Sequence, residues 1–157
     1  LPYPIPLVDN LGFVLNTNAK DGSHWVALFI HFQKSFEIKN NIKKEIITLK
    51  AEYFDSLGGE IPSSLISSIS RLYGTIKSKF RYFDGEPITK RSNIQLQKVG
   101  LDCGVYAVHF IVTRLNQSKV SMEDFLLKDA PDDQFIKKCK SFYWNIYQPN
   151  LKEFLME

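Results

Sequence analysis

One stretch in the first third of the chain is apolar in both of its alternating registers. In HWVALFIHF, residues 24–32, every position from 25 to 30 carries an apolar side chain. A strand with one solvated face alternates apolar and polar residues, so this run predicts a strand that is covered on both sides in a central sheet.

Two further strands are predicted around this run. GFVLNT, residues 12–17, has the composition of a short strand, and EIITLKAEYF is a second apolar strand that ends at Asp55. Between the central strand and EIITLKAEYF, residues 33–50 turn back around Asn40-Asn41, a pair that suits a tight turn. We therefore expect an extended β-hairpin insertion at about 33–50.

Helical spacing dominates the rest of the chain. IPSSLISSISRLYG predicts a helix with Pro62 in its first turn and Gly74 at its end. From Cys103 to about Leu115 the apolar pattern is again helical. The segments FRYFD and NIQLQ, separated by GEPITKRS, are predicted as short strands.

Two more helices are predicted after residue 116. Ser121 with Asp124 forms a capping box for a short helix, and Pro131 opens an amphipathic helix that runs to about Tyr147. Together the elements predict a single α+β domain over residues 1–157, with a central mixed sheet flanked by helices.

Composition narrows the function classes. The chain has 157 residues, of which 44% are apolar and 24% charged, as expected for one globular domain with a proper core. It contains no apolar run of 18 residues, and the first residues, LPYPIPLVDN, lack the regions of a signal peptide, so we expect neither a membrane partner nor secretion through a signal peptide. Two cysteines are too few for a disulfide framework, which favours a reducing compartment.

The charge pattern gives little evidence for a nucleic-acid partner. The net charge is +3, and the basic runs NNIKKE, KSKFRYF, TKR and KKCK are short and scattered. We interpret them first as solvated faces, with weak nucleic-acid binding through basic patches as the minor alternative, and we expect a monomer.

Cys103 is the first candidate for chemistry. It begins a predicted helix, where the macrodipole and the unpaired backbone amides favour a thiolate, and Gly104 leaves room for a carbonyl group to approach the backbone. The alternative is that Cys103 is a small core residue, which is the commoner role of a free cysteine. Cys139, in KKCKSFYW, is interpreted as structural or exposed.

A cysteine nucleophile needs a base, and three histidines compete for that role. His109 lies six residues after Cys103 on the same helix, about 240° around the axis, and therefore faces away from it. His31 and His24 lie seven residues apart on one strand and leave opposite faces, about 23 Å apart, so only one can serve. His24 follows the KDGS turn at the strand entrance and is the preferred base.

Two polar residues would complete the site. Asp55 would end a strand next to that of His24, where its carboxylate would accept a hydrogen bond from the imidazole Nδ1–H, unless it only caps a turn. The side-chain amide of Gln97 would donate to an oxyanion together with the backbone N–H of Cys103. Asp102 is more simply the N-cap of the Cys103 helix.

The sequence contains no motif for a metal site or for nucleotide binding. Cys103 and His109, the nearest cysteine and histidine, point in different directions, so no metal site is expected. The chain also lacks GxxxxGK[ST] and GxGxxG phosphate loops.

In chain order, the quoted segments GSHWVAL, YFDSLG and QKVGLDCGVYAVHF resemble the adenain/Ulp-type (clan CE) cysteine protease superfamily. Its members have His-Trp on a strand, an acid or amide at the end of the next strand, and Gln six residues before a Cys-Gly that opens the central helix. The resemblance covers about residues 12–116. It implies His24 as general base, Asp55 as its orienting acid, Cys103 as nucleophile and Gln97 as oxyanion donor.

The resemblance also carries expectations about substrates and partners. It implies a narrow cleft with Trp25 as one wall and Gly104 beside the nucleophile, which admits substrates with small, glycine-rich residues before the cut. The chain looks most like the viral maturation proteases of adenoviruses, virophages and related large DNA viruses and transposons. It would then act on viral precursor proteins in the virion or the infected cell, without a metal or other cofactor. Adenovirus-type enzymes use an activating peptide or DNA, so the resemblance leaves such an activator open here, although no residue of this chain demands one.

Two other functions remain open at this point. The first is a deconjugating protease for SUMO or another ubiquitin-like modifier, which shares the chemistry but needs a broad surface for a folded substrate. The second is a catalytically inactive member that binds protein or nucleic acid, in which Cys103 would react with iodoacetamide no faster than an ordinary thiol.

Overall fold

A mixed four-stranded sheet organises the molecule. The computed structural model describes residues 10–17, 24–79, 87–116, 121–128 and 130–142. In them the sheet has the strand order β1-β2-β3-β4, with β4 parallel to β3 and the other pairs antiparallel. The strands are β1 Asn10–Asn16, β2 Trp25–Lys39, β3 Ile42–Phe54 and β4 Ile88–Arg91, and the helices are α1 Ser63–Lys79, α2 Cys103–Asn116, α3 Met122–Lys128 and α4, residues 133–142. The predicted α+β class is confirmed.

Helices cover β2 and β3 on both faces, as the apolar pattern predicts. On one face, Leu28 and Ile30 pack with Ile69 and Tyr73 of α1. On the other face, the apolar side chains come from β2, β3 and the three later helices: Ala27, Phe29, Phe54, Tyr106, Ala107, Phe110, Ile111, Met122, Phe125 and Ile136. The strand ends that carry the candidate site are therefore held between two cores.

The hairpin between β2 and β3 extends beyond the rest of the sheet. Asn40 and Asn41 have φ of 51° and 62°, left-handed values that asparagine tolerates and that a two-residue hairpin turn requires. β1 pairs with β2 only as far as His31, so the distal part of the hairpin is two-stranded in the described chain. It exposes Phe36 and Ile38, and the Lys43 ammonium lies 4.0 Å from the centre of the Phe36 ring.

The prediction of a strand at NIQLQ is wrong. Residues 93–97 form no regular strand, and β4 instead lies in GEPITKRS, the segment interpreted as a connection. The main-chain N–H groups of Leu96 and Gln97 both donate to the carbonyl of Ser56, so this segment is held by a turn rather than by a neighbouring strand. FRYFD, residues 80–84, lies outside the described residues.

Two predicted helix boundaries differ from the structure. Gly74 does not end α1, which continues to Lys79 because Ile76 extends its apolar face and an interior glycine costs only about 1 kcal/mol relative to alanine. Asp132, rather than Pro131, marks the start of α4 as its N-cap, since its Oδ1 accepts from the N–H of Phe135 at 2.7 Å. The end of this helix near Tyr147 lies outside the described residues.

The predicted capping box of α3 is present. The N–H of Asp124 donates to the Ser121 hydroxyl at 3.1 Å, and the hydroxyl donates to Asp124 Oδ2 at 3.0 Å. The four helices in the described ranges include none with the length and apolarity that crossing a bilayer requires.

Candidate active site

The strand directions bring the candidate residues to one edge of the sheet. His24 immediately precedes β2 and Asp55 immediately follows β3, and because these strands are antiparallel the two residues lie at the same end. β4 runs parallel to β3, so its following residue, Ser92, arrives there too. Trp25, at the start of β2, lies against Gly104 and thereby places the first turn of α2 at this edge.

His24 and Asp55 form the central pair. His24 Nε2 lies 2.9 Å from Asp55 Oδ1; Asp55 is 4% exposed, whereas His24 is half-buried. A carboxylate only accepts hydrogen bonds, so Nε2 carries the proton and the neutral ring has its lone pair on Nδ1. The prediction that Nδ1–H would donate to Asp55 is therefore wrong, and Nδ1 is the nitrogen left to take a proton.

The Asp55 carboxylate and backbone are both held by neighbours. Asp55 Oδ1 also accepts from the N–H of Leu57 at 2.8 Å. The fully buried Ser92 hydroxyl accepts from the Asp55 N–H at 3.1 Å and donates to the Asp55 carbonyl at 3.2 Å. No sequence pattern indicates this role for Ser92, which lies in GEPITKRS, the segment interpreted as a connection between two strands.

Two glycines after Asp55 keep the turn close to the site. Gly58 has φ of +74°, a value that favours glycine, and a Cβ there would lie 3.2 Å from the backbone nitrogen of Gln95. A Cβ on Gly59 would collide with Asp55 Oδ2. The glycine pair thus lets the Asp55 turn pack directly against the segment that carries Gln97.

Cys103 is the first residue of α2. Its side chain is 7% exposed, and the first N–H groups of a helix have no acceptor within the helix, so they are available to an anion. The Asp102 carbonyl accepts from the N–H of Tyr106, which places Asp102 at the predicted N-cap position. Its carboxylate pairs with Lys140 at 2.7 Å.

The Gln97 side chain is 4% exposed and bonded at both ends of its amide. Oε1 accepts from the Ser56 hydroxyl at 2.8 Å, and Nε2 donates to the carbonyl of Gly100 at 2.8 Å. The bond to Gly100 uses one of the two Nε2 protons, so one N–H remains to serve another acceptor. Ser56 was not identified from the sequence, although it directly follows Asp55.

Trp25 lies beside the start of α2. Its side chain is 41% exposed, and a Cβ on Gly104 would lie 3.7 Å from the indole Cδ1. The missing side chain at position 104 thus leaves open space between the tryptophan and the start of α2. Such space suits a narrow part of a substrate.

The other two histidines lie elsewhere, as predicted. His31 contacts the Phe29 ring, and its buried Nε2 has no hydrogen-bond partner within the described ranges. His109 contacts the Phe125 and Phe135 rings, and its Nδ1 lies 4.0 Å from the Cys139 sulfur. Burial lowers the pKa of both imidazoles and raises that of the Cys139 thiol, which favours neutral packing groups.

Asp133, at the start of α4, accepts hydrogen bonds from α2 and from the segment before Cys103. Its Oδ1 accepts from the Tyr106 hydroxyl at 2.8 Å, and its Oδ2 accepts from the N–H of Lys98 at 3.2 Å. The bond from Tyr106 is the largest cause that holds the pKa of Asp133 below its ordinary value of 3.8, and burial is the main reason that the pKa of Tyr106 is raised.

This link predicts a pH-dependent stability contribution. The pKa of Asp133 is depressed in the folded state, so the link stabilises the fold above about pH 4, the unfolded value, and is lost as the pH falls through the folded pKa. We expect Tyr106→Phe to lower the melting temperature at neutral pH and the gap to wild type to narrow below about pH 4. Melting curves from pH 3 to 7 test this, and a gap that stays constant would contradict it.

No cluster suited to a metal occurs among the described residues: nowhere in them do three or more histidine, cysteine or acidic side chains converge. The site geometry that the structure does provide is a cysteine at a helix N-terminus, a histidine–aspartate pair and a buried glutamine at one sheet edge. That combination, on an α+β fold, defines the thiol-protease class.

Comparisons with known proteins agree with this class. Residues 4–148 match the model of the Ulp1 protease family, C-terminal catalytic domain, and the chain belongs to that family. One relative is a protein of Acanthamoeba polyphaga mimivirus that is named provisionally as a thiol protease. It is 29% identical to this chain over 123 residues, which cover 78% of this chain and 34% of the mimivirus protein.

Solved structures give the same picture. Two crystal structures of the ASFV pS273R protease match with TM-scores of 0.58 and 0.56, at 25% and 26% sequence identity, over 82% of this chain. The match covers 41% and 40% of those chains, so this chain spans well under half the length of the relatives it matches. The predicted adenain/Ulp-type fold and family are confirmed.

Proposed function

We propose that the chain is the catalytic domain of a cysteine endopeptidase that cleaves viral precursor proteins after small, glycine-rich sites. The observation that carries the proposal is the 2.9 Å bond between His24 Nε2 and Asp55 Oδ1 at the sheet edge where the Cys103 helix begins. A histidine–carboxylate pair at the same sheet edge as a cysteine that begins a helix is the arrangement expected to activate a thiol.

The first half of the reaction forms a thioester. His24 Nδ1 takes the proton of the Cys103 thiol, while Asp55 accepts from Nε2–H and stabilises the imidazolium. The sulfur attacks the peptide carbonyl, and the oxyanion accepts hydrogen bonds from the free Nε2–H of Gln97 and the backbone N–H of Cys103. As the C–N bond breaks, Nδ1–H gives its proton to the leaving amine.

The second half hydrolyses this intermediate. Nδ1 of His24 takes a proton from water, the hydroxide attacks the thioester carbon, and the same donors stabilise the new oxyanion. The carbon–sulfur bond then breaks, the carboxylic acid leaves, and the proton on His24 returns to the Cys103 sulfur. Each residue therefore works twice, and no metal or redox partner enters the balance.

Two features support small residues before the cut. Trp25 is partly exposed beside Gly104, where any side chain would narrow the space further.

The viral relatives favour precursor proteins as substrates over modifier conjugates, and an activating peptide or DNA belongs to the same proposal.

The test is cleavage of a peptide panel with Gly-Gly-X and Gly-X-Gly sites, under reducing conditions, with and without DNA, read by mass spectrometry. A Cys139→Ala variant provides the matched control, because it leaves Cys103 as the sole cysteine. We expect this variant to cleave after glycine and to lose activity with iodoacetamide. Cleavage of a folded ubiquitin-like fusion but of no peptide would favour the deconjugating alternative, and an inert protein with an unreactive Cys103 would overturn the proposal.

We expect the distal part of the β2–β3 hairpin to contribute little to the cleavage of short peptides. Replacing residues 35–46 by Asn-Gly keeps the paired residues Lys34 and Ile47 in register. The removed part begins about 36 Å along the strand from His24. We expect kcat/KM for short peptides to stay within about twofold of wild type, since distant sites act independently. A larger loss would show that the hairpin contributes to the catalytic cleft, whereas a loss confined to protein substrates would assign it to substrate or partner specificity.

A further inference from the structure

The buried serine after Asp55 contacts the proposed oxyanion donor rather than solvent. Ser56 is 1% exposed, and its hydroxyl lies 2.8 Å from Gln97 Oε1. The two residues are also joined through their backbones, because the Gln97 N–H donates to the Ser56 carbonyl at 2.9 Å. Ser56 thus holds both ends of Gln97, its main chain and its side-chain oxygen.

The acceptor at Gly100 determines which way the Gln97 amide faces. A backbone carbonyl can only accept, so the group at 2.8 Å from the Gly100 oxygen must be the Nε2 amine. Oε1 then faces Ser56, and the serine hydroxyl must be the donor in that bond. The amide is held in one orientation, with its second N–H available to a substrate oxyanion.

We infer that Ser56 is a positioning residue that holds the Gln97 amide in its donating orientation. The inference rests on the proposed function, because it assigns a purpose to the donor named there. In this arrangement the consecutive residues Asp55 and Ser56 orient the two halves of the site: Asp55 holds His24 and Ser56 holds Gln97.

The chemical consequence follows from what Ser56→Ala removes. Oε1 of Gln97 would lose its donor in a buried site, so the bond to the Gly100 carbonyl would hold the amide alone and its free N–H would be directed less firmly at the oxyanion. The His24–Asp55 bond does not involve the Ser56 side chain, so proton transfer would be unaffected. The loss should therefore fall on kcat, since the oxyanion forms only after substrate is bound.

A double-mutant cycle tests whether Ser56 acts through Gln97. We expect Gln97→Ala to lower kcat about 10²–10³-fold and Ser56→Ala to lower it about tenfold, with KM nearly unchanged in both. In the Gln97→Ala background, Ser56→Ala should cost less than about twofold, because the group it orients is gone. An equal loss in both backgrounds would overturn the inference and leave Ser56 with a structural role only.

Ser92→Ala is the matched control. Ser92 is also a buried serine that bonds to the Asp55 turn, but it holds the Asp55 backbone and not Gln97. Its effect should therefore multiply with that of Gln97→Ala rather than vanish. If both serines behave alike in the cycle, the coupling reflects the whole turn and not the Ser56–Gln97 bond.

A second measurement separates this inference from the proposed function. In ¹H–¹⁵N spectra the side-chain amide pair of Gln97 is identified by its loss in Gln97→Ala. Ser56→Ala should shift that pair and speed its exchange with water, whereas Ser92→Ala should not. An unchanged pair would overturn the inference even in an active protease, and a shifted pair in a protein without cleavage would retain the contact while the proposed function fails.

Discussion

Replacing Cys103 by alanine is expected to lower cleavage by more than about 10⁴-fold, to the background of the assay. The thioester requires the sulfur, and no other described nucleophile begins a helix beside the His24–Asp55 pair. Initial rates on the best peptide of the panel measure the loss. Cys103→Ser should be almost as inactive, because a hydroxyl is a far weaker nucleophile than a thiol at neutral pH.

The control for this prediction is the other cysteine. Cys139 lies on α4 beside His109, away from the sheet edge that carries the site, and Cys139→Ala should retain activity. Circular dichroism and melting curves should show that Cys103→Ala still folds, since only one small buried atom is removed. Residual cleavage above about 1% of wild type would mean that the sulfur is not the nucleophile.

Periodicity predicted the parts of the fold that depend on long apolar runs. The doubly apolar run after His24 and the helical pattern after Cys103 both appear in the structure, as β2 and α2. The antiparallel pairing of β2 with β3 then brings His24 and Asp55 together, because the first precedes one strand and the second follows the other. This part of the candidate site follows from where apolar runs begin and end.

The parts of the fold and site that the sequence did not predict depend on single polar contacts, which produce no periodic pattern in the sequence. NIQLQ has the alternation of a strand, yet its backbone bonds to Ser56 across the Asp55 turn, and a contact between residues so far apart leaves no mark in local spacing. The orientation of the His24 ring is another example, since either nitrogen could face a carboxylate and only the three-dimensional approach selects Nε2.

The burial of Arg114 in the core is a further feature that the sequence alone does not predict. It occupies the stripe of Ala107, Phe110 and Ile111 on α2, but a charged residue near a helix end suggests a solvated position. The structure instead places it at 1% exposure, with Nε and Nη2 bonded to the two oxygens of Glu52 at 2.7 and 2.9 Å. The bidentate pair with Glu52 on β3, 62 residues away in sequence, favours that burial.

Arg114→Met is expected to lower the free energy of unfolding by about 3–5 kcal/mol, because it leaves the buried Glu52 carboxylate without its charged partner. Glu52 is 5% exposed, and the guanidinium also lies 4.9 Å from the Phe29 ring, so the replacement loses a buried bidentate pair and a cation–π contact. Urea unfolding of the Cys103→Ala background measures the change without self-cleavage.

Removing both charges should restore most of that loss. In Glu52→Leu/Arg114→Met neither charge remains to be desolvated, and apolar replacement of a buried pair is often close to neutral. The double variant should therefore be more stable than either single variant, with a coupling of at least about 2 kcal/mol. It should also keep peptide cleavage, since Arg114 lies about 16 Å along α2 from Cys103. If Arg114→Met alone costs less than about 1 kcal/mol, water reaches the Glu52 carboxylate and the pair is not part of the closed core.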